Sequence, residues 1–383
     1  MSPSLKWLSA ALFTWGVGEG MFYMFQPFYL SQLGANPVMI GYILGSAGFA
    51  MLIAHIPAGY LSDRIGRRPM LILAWVLGIS ATWIMALAQD LPVFVVGLLI
   101  YGFTAFVTSP LNSYVSATRG SWSVGRAITI ISATFNLGIV LGPLTGGWIS
   151  EHYGLRSVYY VAGVLFIFSI IFMVQIAPQA PDKHNPDIPR TNLLANRRYL
   201  GFIGLGFLVI LAMYLPQPFT AKFLQDVRGL SLEKIGLLGT IGGIGNTSIT
   251  FLLGFLDARL GFILSQASVG VYSGLIWQMN GYGWFAASYF LLGGYRAARS
   301  LFLAQIRPLV PEAQVGLAFG ISETVLGLTG IIAPITAGLL YQQQKSSVFP
   351  IAFFAILAGI LLSLAFTPRA SREQIQPAIE FIE

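Results

Sequence analysis

The first residues of this 383-residue chain that could do chemistry are ionisable side chains inside long apolar runs. Glu19 lies in the run 7–30, His55 in 38–61, Arg296 and Arg299 in 282–306, and Glu323 in 314–341. An ionised side chain at mid-membrane costs at least about 2.5–3.5 kcal/mol on insertion scales, so each should face protein or a water-filled cavity. Proton transfer and the binding of a charged solute are the chemistries such residues offer.

Glu19 falls about a dozen residues into its run, roughly 18 Å along a helix and near the middle of an apolar core about 30 Å thick. Burial there disfavours the charged form, the property a proton carrier needs. The competing reading is a structural carboxylate bonded to a neighbouring helix. Arg296 and Arg299 are three apart and so adjacent on a helical face, with Glu323 at similar depth in the next run. Arg299 and Glu323 are expected to pair, with Glu323 a second proton-coupling candidate and Arg296 left for an anionic substrate or for Glu19. His55, near the end of its run, reads as a packed or snorkelling residue, with a proton relay as the alternative. Trp15, Phe22, Tyr23, Phe25, Phe28 and Tyr29 crowd the first run and suit an adaptable apolar cavity, or a lipid-facing surface. Tyr23 and Gln26 stand beside Glu19, while Asn112, Asn136, Asn246 and Gln217 offer polar contacts to substrate or to neighbouring helices.

The elements that must hold these groups are membrane helices. With 56% hydrophobic residues, 9% charged residues and a mean hydropathy of +0.74, the chain has too little polar surface to cover a soluble globule. Apolar runs are expected at 7–30, 38–61, 70–88, 92–117, 126–150, 157–177, 199–222, 232–256, 261–280, 282–306, 314–341 and 348–367. The tightest turns, 88–92 and 280–282, are where the count is most exposed to error. Net charge +7 and a pI near 9.6 do not imply nucleic acid, because the basic residues are scattered among short loops. Their alternation instead places both termini on the cytoplasmic side by the positive-inside rule, against which only the loop around Lys222, Arg228 and Lys234 speaks. Lipid headgroups are expected partners. The first run is too long for a signal core and is read as a membrane helix. Cysteine is absent, no histidines have metal spacing, and no cofactor or metal is expected.

A polar, proline-rich linker at 179–198 separates a first bundle, 1–178, from a second, 199–367, with a cytoplasmic tail at 368–383. The end of the linker, around Arg197 and Arg198, reads as a short helix lying on the headgroups. The halves resemble each other. Gln26-Pro27-Phe28 recurs as Gln217-Pro218-Phe219, Gly125 as Gly316, Pro143 as Pro334 and Gly147 as Gly338, all 191 residues apart. Gly59, Arg64 and Gly66 recur as Gly254, Arg259 and Gly261, shifted by four more.

Between the second and third runs, residues 59–69 read Gly-Tyr-Leu-Ser-Asp-Arg-Ile-Gly-Arg-Arg-Pro. The charges of Asp63, Arg64, Arg67 and Arg68 require water, and Gly66 and Pro69 interrupt the helix, so this turn marks a membrane surface. The spacing of Gly59, Asp63, Arg64, Gly66, Arg67 and Arg68 resembles the signature loop of the major facilitator superfamily. A second stretch, Gly138, Gly142, Pro143, Gly146 and Gly147 in the fifth run, resembles a glycine motif of the family's antiporters. Glycines four apart let a helix backbone approach closely, so simple packing explains the stretch equally well.

The resemblance implies an all-α integral membrane protein of 12 transmembrane helices in two pseudo-symmetric six-helix bundles, acting as a monomer in the cell (inner) membrane. It implies a central cavity lined by the first, fourth, seventh and tenth helices, with Glu19, Tyr23, Gln26, Asn112, Gln217 and Arg296 as substrate contacts. It also implies that Asp63 bridges the halves at the cytoplasmic face, near the start of the eleventh helix, where a carboxylate is favoured by the helix dipole. Two features depart from the family pattern. Leu98 stands where many proton-coupled members have an arginine, and the second signature loop, 254–261, has its acid, Asp257, one place early. The implied function is secondary transport of a small, amphipathic molecule by alternating access, as proton-coupled export. Alternatives are a proton symporter or uniporter for sugars or other metabolites and, in another class, a polytopic lipid-modifying enzyme or membrane sensor. No Walker loop or catalytic triad context supports ATP-driven transport or hydrolysis.

Overall fold

The computed structural model describes residues 1–179, 193, 196–311 and 314–367, with the backbone alone for 55–64 and 316. Every element among them is helical. The α-helices are α1 Pro3–Tyr23, α2 Gln26–Gln32, α3 Pro37–Ile65, α4 Arg67–Leu87, α5 Leu91–Phe103, α6 Thr108–Thr118, α7 Val124–Tyr153, α8 Leu155–Met173 and α9 Arg197–Tyr214. They continue as α10 Gln217–Asp226, α11 Leu232–Gly254, α12 Ala258–Gln278, α13 Tyr282–Leu291, α14 Gly294–Ala304, α15 Val315–Gly327, α16 Thr329–Gln343 and α17 Val348–Phe366.

Ten described segments are long and apolar enough to cross a membrane. The two expected runs not among them are those carrying Glu19 and the pair Arg296 and Arg299. Both are interrupted as well as charged: α1 gives way to α2 at Met24–Phe25, and α13 to α14 at Leu292–Gly293. The fourth, seventh and eleventh runs, expected as single helices, are also broken, at Thr104–Val107, at Leu215–Pro216 and at Leu328. Proline accounts for part of this: Pro27 and Pro218 sit in the first turns of α2 and α10, where a missing N–H costs nothing. Pro143 and Pro334 instead lie inside α7 and α16. Of the expected headgroup helix, residues 194 and 195 lie outside the described residues, and Arg197 and Arg198 belong to the helix that follows. These residues open α9, whose first turn is capped by Asn196, its Oδ1 accepting from Tyr199 N at 3.1 Å. Most of the linker 179–198 and the tail 368–383 lie outside the described residues.

Packing divides the chain into two compact units that cut across the covalent order. The first holds the described residues within 1–179, 215–244 and 327–348. Its centre is an aromatic column in which the Trp15 and Phe166 rings stack at 3.9 Å, with Phe22, Tyr101 and Tyr159 around them. Gly78 makes room for it: a Cβ there would lie 2.3 Å from Trp15 Cη2. Trp75 Nε1 donates to Ser169 Oγ at 2.7 Å, and Ser169 Oγ donates to Ala11 O at 2.6 Å, so buried polar groups tie α4, α8 and α1 without an unmet partner.

The second unit holds the described residues within 196–214, 245–326 and 349–367. Phe302 of α14 stacks on Phe202 of α9 at 4.5 Å and fills the space above Gly206, where a Cβ would fall 2.1 Å from the ring. Gln266 Nε2 donates to Ser363 Oγ at 2.9 Å, joining α12 to α17.

Candidate functional site

Glu19 sits on α1 in the aromatic column. Trp15, one turn earlier, donates its Nε1–H to Glu19 Oε2 at 3.1 Å, and the Tyr101 hydroxyl of α5 donates to the same oxygen at 2.8 Å. The indole is placed by the i, i+4 spacing of a helix and held by its stack on Phe166. Tyr101 is held edge-on by Phe22 at 5.2 Å. Trp15 and Tyr101 thus both direct donors at the carboxylate among aromatic rings, and hydrogen bonds to an ionised acceptor are the stronger kind. Leu98, which stands in place of the family arginine, is buried. Tyr101, three residues on in the same helix, gives Glu19 a polar partner.

The other expected cavity residues are dispersed in environment. Gln26 is buried at the start of α2, Gln217 is half-buried at the start of α10, and Tyr23 and Asn112 are exposed. Asn136 Nδ2 donates to Ser132 O at 2.9 Å within α7. In the second unit, Arg299 Nη2 donates to Glu323 Oε2 as a direct ion pair between α14 and α15, and Arg296 is exposed.

The turn 59–69 splits into a described and an undescribed part. The side chains of His55, Gly59, Asp63 and Arg64 lie outside the described residues. Gly66 adopts φ 89°, which a side chain would strain, and opens α4. Arg67 Nη1 donates to Gln179 Oε1 at 3.1 Å, and Arg68 Nη2 donates to Val174 O at 2.8 Å. These arginines therefore hold the chain leaving α8. In the second unit Arg259 does likewise for α17, with Nη2 donating to Leu364 O at 2.6 Å and Nε to Thr367 Oγ1 at 3.0 Å. A cation on terminal helix carbonyls offsets their unmet acceptors.

The glycine motif of α7 works on two sides. Cβ atoms at Gly138, Gly142 and Gly146 would lie 2.5 Å from Phe13 O, 2.5 Å from Gly20 C and 2.2 Å from Met21 O, so α1 and α7 touch backbone to backbone. On the other side, Gly147 would meet Leu232 O at 2.7 Å, and Gly236 of α11 would meet Pro143 O at 2.3 Å. Substitution by any larger residue would force these helices apart.

An all-helical membrane fold with these motifs agrees with a sequence family: the model of the Major Facilitator Superfamily matches residues 8–293, well over half the chain. The chain belongs to the Major Facilitator Superfamily. It is 24% identical over 390 aligned positions to the multi-drug resistance efflux pump PmrA of Streptococcus pneumoniae, covering 93% of this chain and 92% of that one. An uncharacterised MFS-type transporter of Methanocaldococcus jannaschii is 31% identical over 160 residues, 42% of each chain. Among solved structures, the nucleoside transporter NupG superposes with a TM-score of 0.78 at 15% identity, over 95% of this chain and 98% of that one. Membership of the superfamily gives a transport function rather than an enzymatic one.

Three features of this superfamily member lay beyond the sequence reading. Tyr101 is one. Another is Glu151, at the end of α7, whose Oε2 accepts from Leu232 N at 2.8 Å at the start of α11. The third is an ion cluster in the loop whose basic residues oppose the positive-inside pattern. Asp226 carries Lys222 at 3.3 Å, Lys345 at 3.7 Å and the Tyr341 hydroxyl at 3.1 Å, beside a recess of about 460 Å³. The Lys222 ammonium also stands 6.0 Å from the Phe28 ring centroid.

Proposed function

We propose that this transporter couples proton movement to export of a small, amphipathic molecule across the cell membrane, with Glu19 as the proton-carrying group. The observation that carries the reading is the pair of donors, Trp15 and Tyr101, aimed at one oxygen of a carboxylate inside the aromatic column. Ionised, Glu19 satisfies both donors. Protonated, it becomes a donor itself and no longer needs a countercharge, so the same site suits two protonation states. Alternating access would present these states to opposite sides of the membrane. Each elementary charge moved down 100 mV supplies about 2.3 kcal/mol.

Export is supported by the overall similarity to the efflux pump PmrA and by the glycine motif of α7. Both termini lie in the cytoplasm in this reading, as the basic loops require. Tyr23, with half of its surface exposed, and Gln26, Asn112, Gln217 and Arg296 contribute substrate contacts as the cavity changes shape. Glu323 is the weaker proton candidate, since protonating it would break its bond to Arg299.

The test is flux in proteoliposomes under an imposed pH gradient, screened against amphipathic solutes, for wild type and Glu19→Gln. The variant should lose pH-driven flux while retaining the fold. Full pH-driven flux in the variant would remove Glu19 from the coupling role, and accumulation of solute by energised cells would turn the direction to import.

A further inference from the structure

The glycine seam between α7 and α11 ends in a charged contact that the site around Glu19 does not use. Glu151 stands three residues before Gly154, where α7 stops with φ 83°. Its carboxylate accepts the Leu232 N–H at 2.8 Å, one of the first N–H groups of α11 that no helical carbonyl can meet. A negative charge at a helix N-terminus is also favoured by the aligned peptide dipoles. Below this contact, Gly147 and Gly236 bring the two backbones together, and Thr240 Oγ1 donates to Val140 O at 2.8 Å. Close glycine backbones, the Thr240 hydroxyl and the Glu151 carboxylate thus all act across the seam. Of these, the Glu151 carboxylate acts by charge from α7 on the start of α11.

The place of this contact follows from the chain. Arg156, at the start of α8, donates to Ala86 O, Leu87 O and Ala88 O at the end of α4, and α4 begins at the signature turn. Glu151 thus lies at the membrane face opposite that turn.

We propose that Glu151 is the latch of that face: its bond to the N-terminus of α11 holds the seam shut, and its release accompanies opening of the seam during transport. Glu151 is a positioning residue here, acting on helix α11 and not on substrate. The inference takes from the proposed function only that the seam opens in the cycle; it does not depend on protons or on Glu19.

The absence of cysteine makes the test direct. Tyr153→Cys and Lys234→Cys, both exposed and flanking the contact, carry spin labels whose separation is measured by pulsed dipolar spectroscopy in lipid nanodiscs. Adding Glu151→Ala should raise the ratio of the longer to the shorter distance about fivefold, the upper end of the usual effect of one charge at a helix N-terminus. Glu151→Gln, which keeps an acceptor oxygen without charge, should give a smaller rise. Gln342→Ala, at the related end of α16, should leave the ratio unchanged. Melting of the labelled proteins, followed by circular dichroism, separates unfolding from opening. An unchanged distance distribution in folded Glu151→Ala, or an equal response to Gln342→Ala, would overturn the proposal. Because neither substrate nor gradient is present, this outcome is independent of the Glu19 flux test.

Discussion

In the first unit, the seam of α7 with α11 and the seam of α3 with α16 repeat the same backbone contacts. A Cβ on Gly147 would fall 2.7 Å from Leu232 O, and one on Gly236 would fall 2.3 Å from Pro143 O. In the other seam, Gly338 would meet Pro37 O at 2.5 Å, and Gly41 would meet Pro334 O at 2.5 Å. Gly147 and Pro143 are related to Gly338 and Pro334 by 191 residues, and Gly41 and Pro37 to Gly236 and Leu232 by the 195 that relates Gly59 to Gly254. The residues that make the Glu151 and Thr240 contacts are not repeated. The counterpart of Glu151 is Gln342, that of Leu232 is Pro37, which has no N–H to give, and that of Thr240 is Gly45. Close packing of glycine backbones is thus common to both seams, whereas the Glu151 and Thr240 contacts belong to one; at the corresponding end of the other, Tyr341 of α16 instead donates to Asp226. The backbone geometry of the seams is duplicated with the repeat, and the residue types around it are not.

Breaking the shared part should have the largest effect and should not distinguish the seams. Gly236→Leu and Gly41→Leu each drive a side chain into a carbonyl already in contact, and overpacking of this kind typically costs about 1–3 kcal/mol. Both variants should lower the melting temperature in detergent by similar amounts. A loss in only one would mean that the backbone contacts of the two seams are not equivalent in strength.

The repeat explains which features were legible in the sequence. Pro143 with Pro334 and Gly147 with Gly338 keep one register because each must meet a facing backbone, and a contact that admits only glycine leaves a trace in residue identity. Trp15 lies four residues before Glu19, so its place on the same helical face follows from spacing alone. Tyr101 does not: it reaches Glu19 across 82 residues of chain, and a tyrosine in a hydrophobic run looks the same whether it faces lipid or a carboxylate. Glu151 sits at a helix end, where acidic residues usually serve only solvation, and its partner is a backbone N–H that no residue type reveals. The helix breaks were similarly obscured, since apolar composition continues through Thr104–Val107 and Leu328 without a change in hydropathy pattern. Arg197 and Arg198 open α9, and a basic pair at a membrane edge fits a surface helix as well as the first turn of a spanning one.

Transplanting the charged contact sharpens the comparison at a smaller scale. Gln342→Glu alone supplies a carboxylate near the start of α3 but no N–H opposite it, so only the dipole term is gained, about 0.3–1 kcal/mol. Adding Pro37→Leu restores a donor in the position held by Leu232. Spin labels across the α3 and α16 ends should show the shorter distance more populated in the double variant than in Gln342→Glu alone. If the single and double variants behave alike, charge and not the directed hydrogen bond controls such a seam.

The smallest expected effect concerns Thr240, whose hydroxyl bonds to Val140 O where the other seam has only Gly45. Hydrogen bonds between membrane helices average about 0.6 kcal/mol, because the separated helices find other partners. Thr240→Ala should therefore leave the melting temperature almost unchanged, yet add to the longer-distance population already raised by Glu151→Ala. The two residues touch the same pair of helices at different depths, so their effects on the seam should combine nearly additively. Strong non-additivity would show that the seam opens as one unit from Thr240 to Glu151, and the latch would then have to be assigned to the pair.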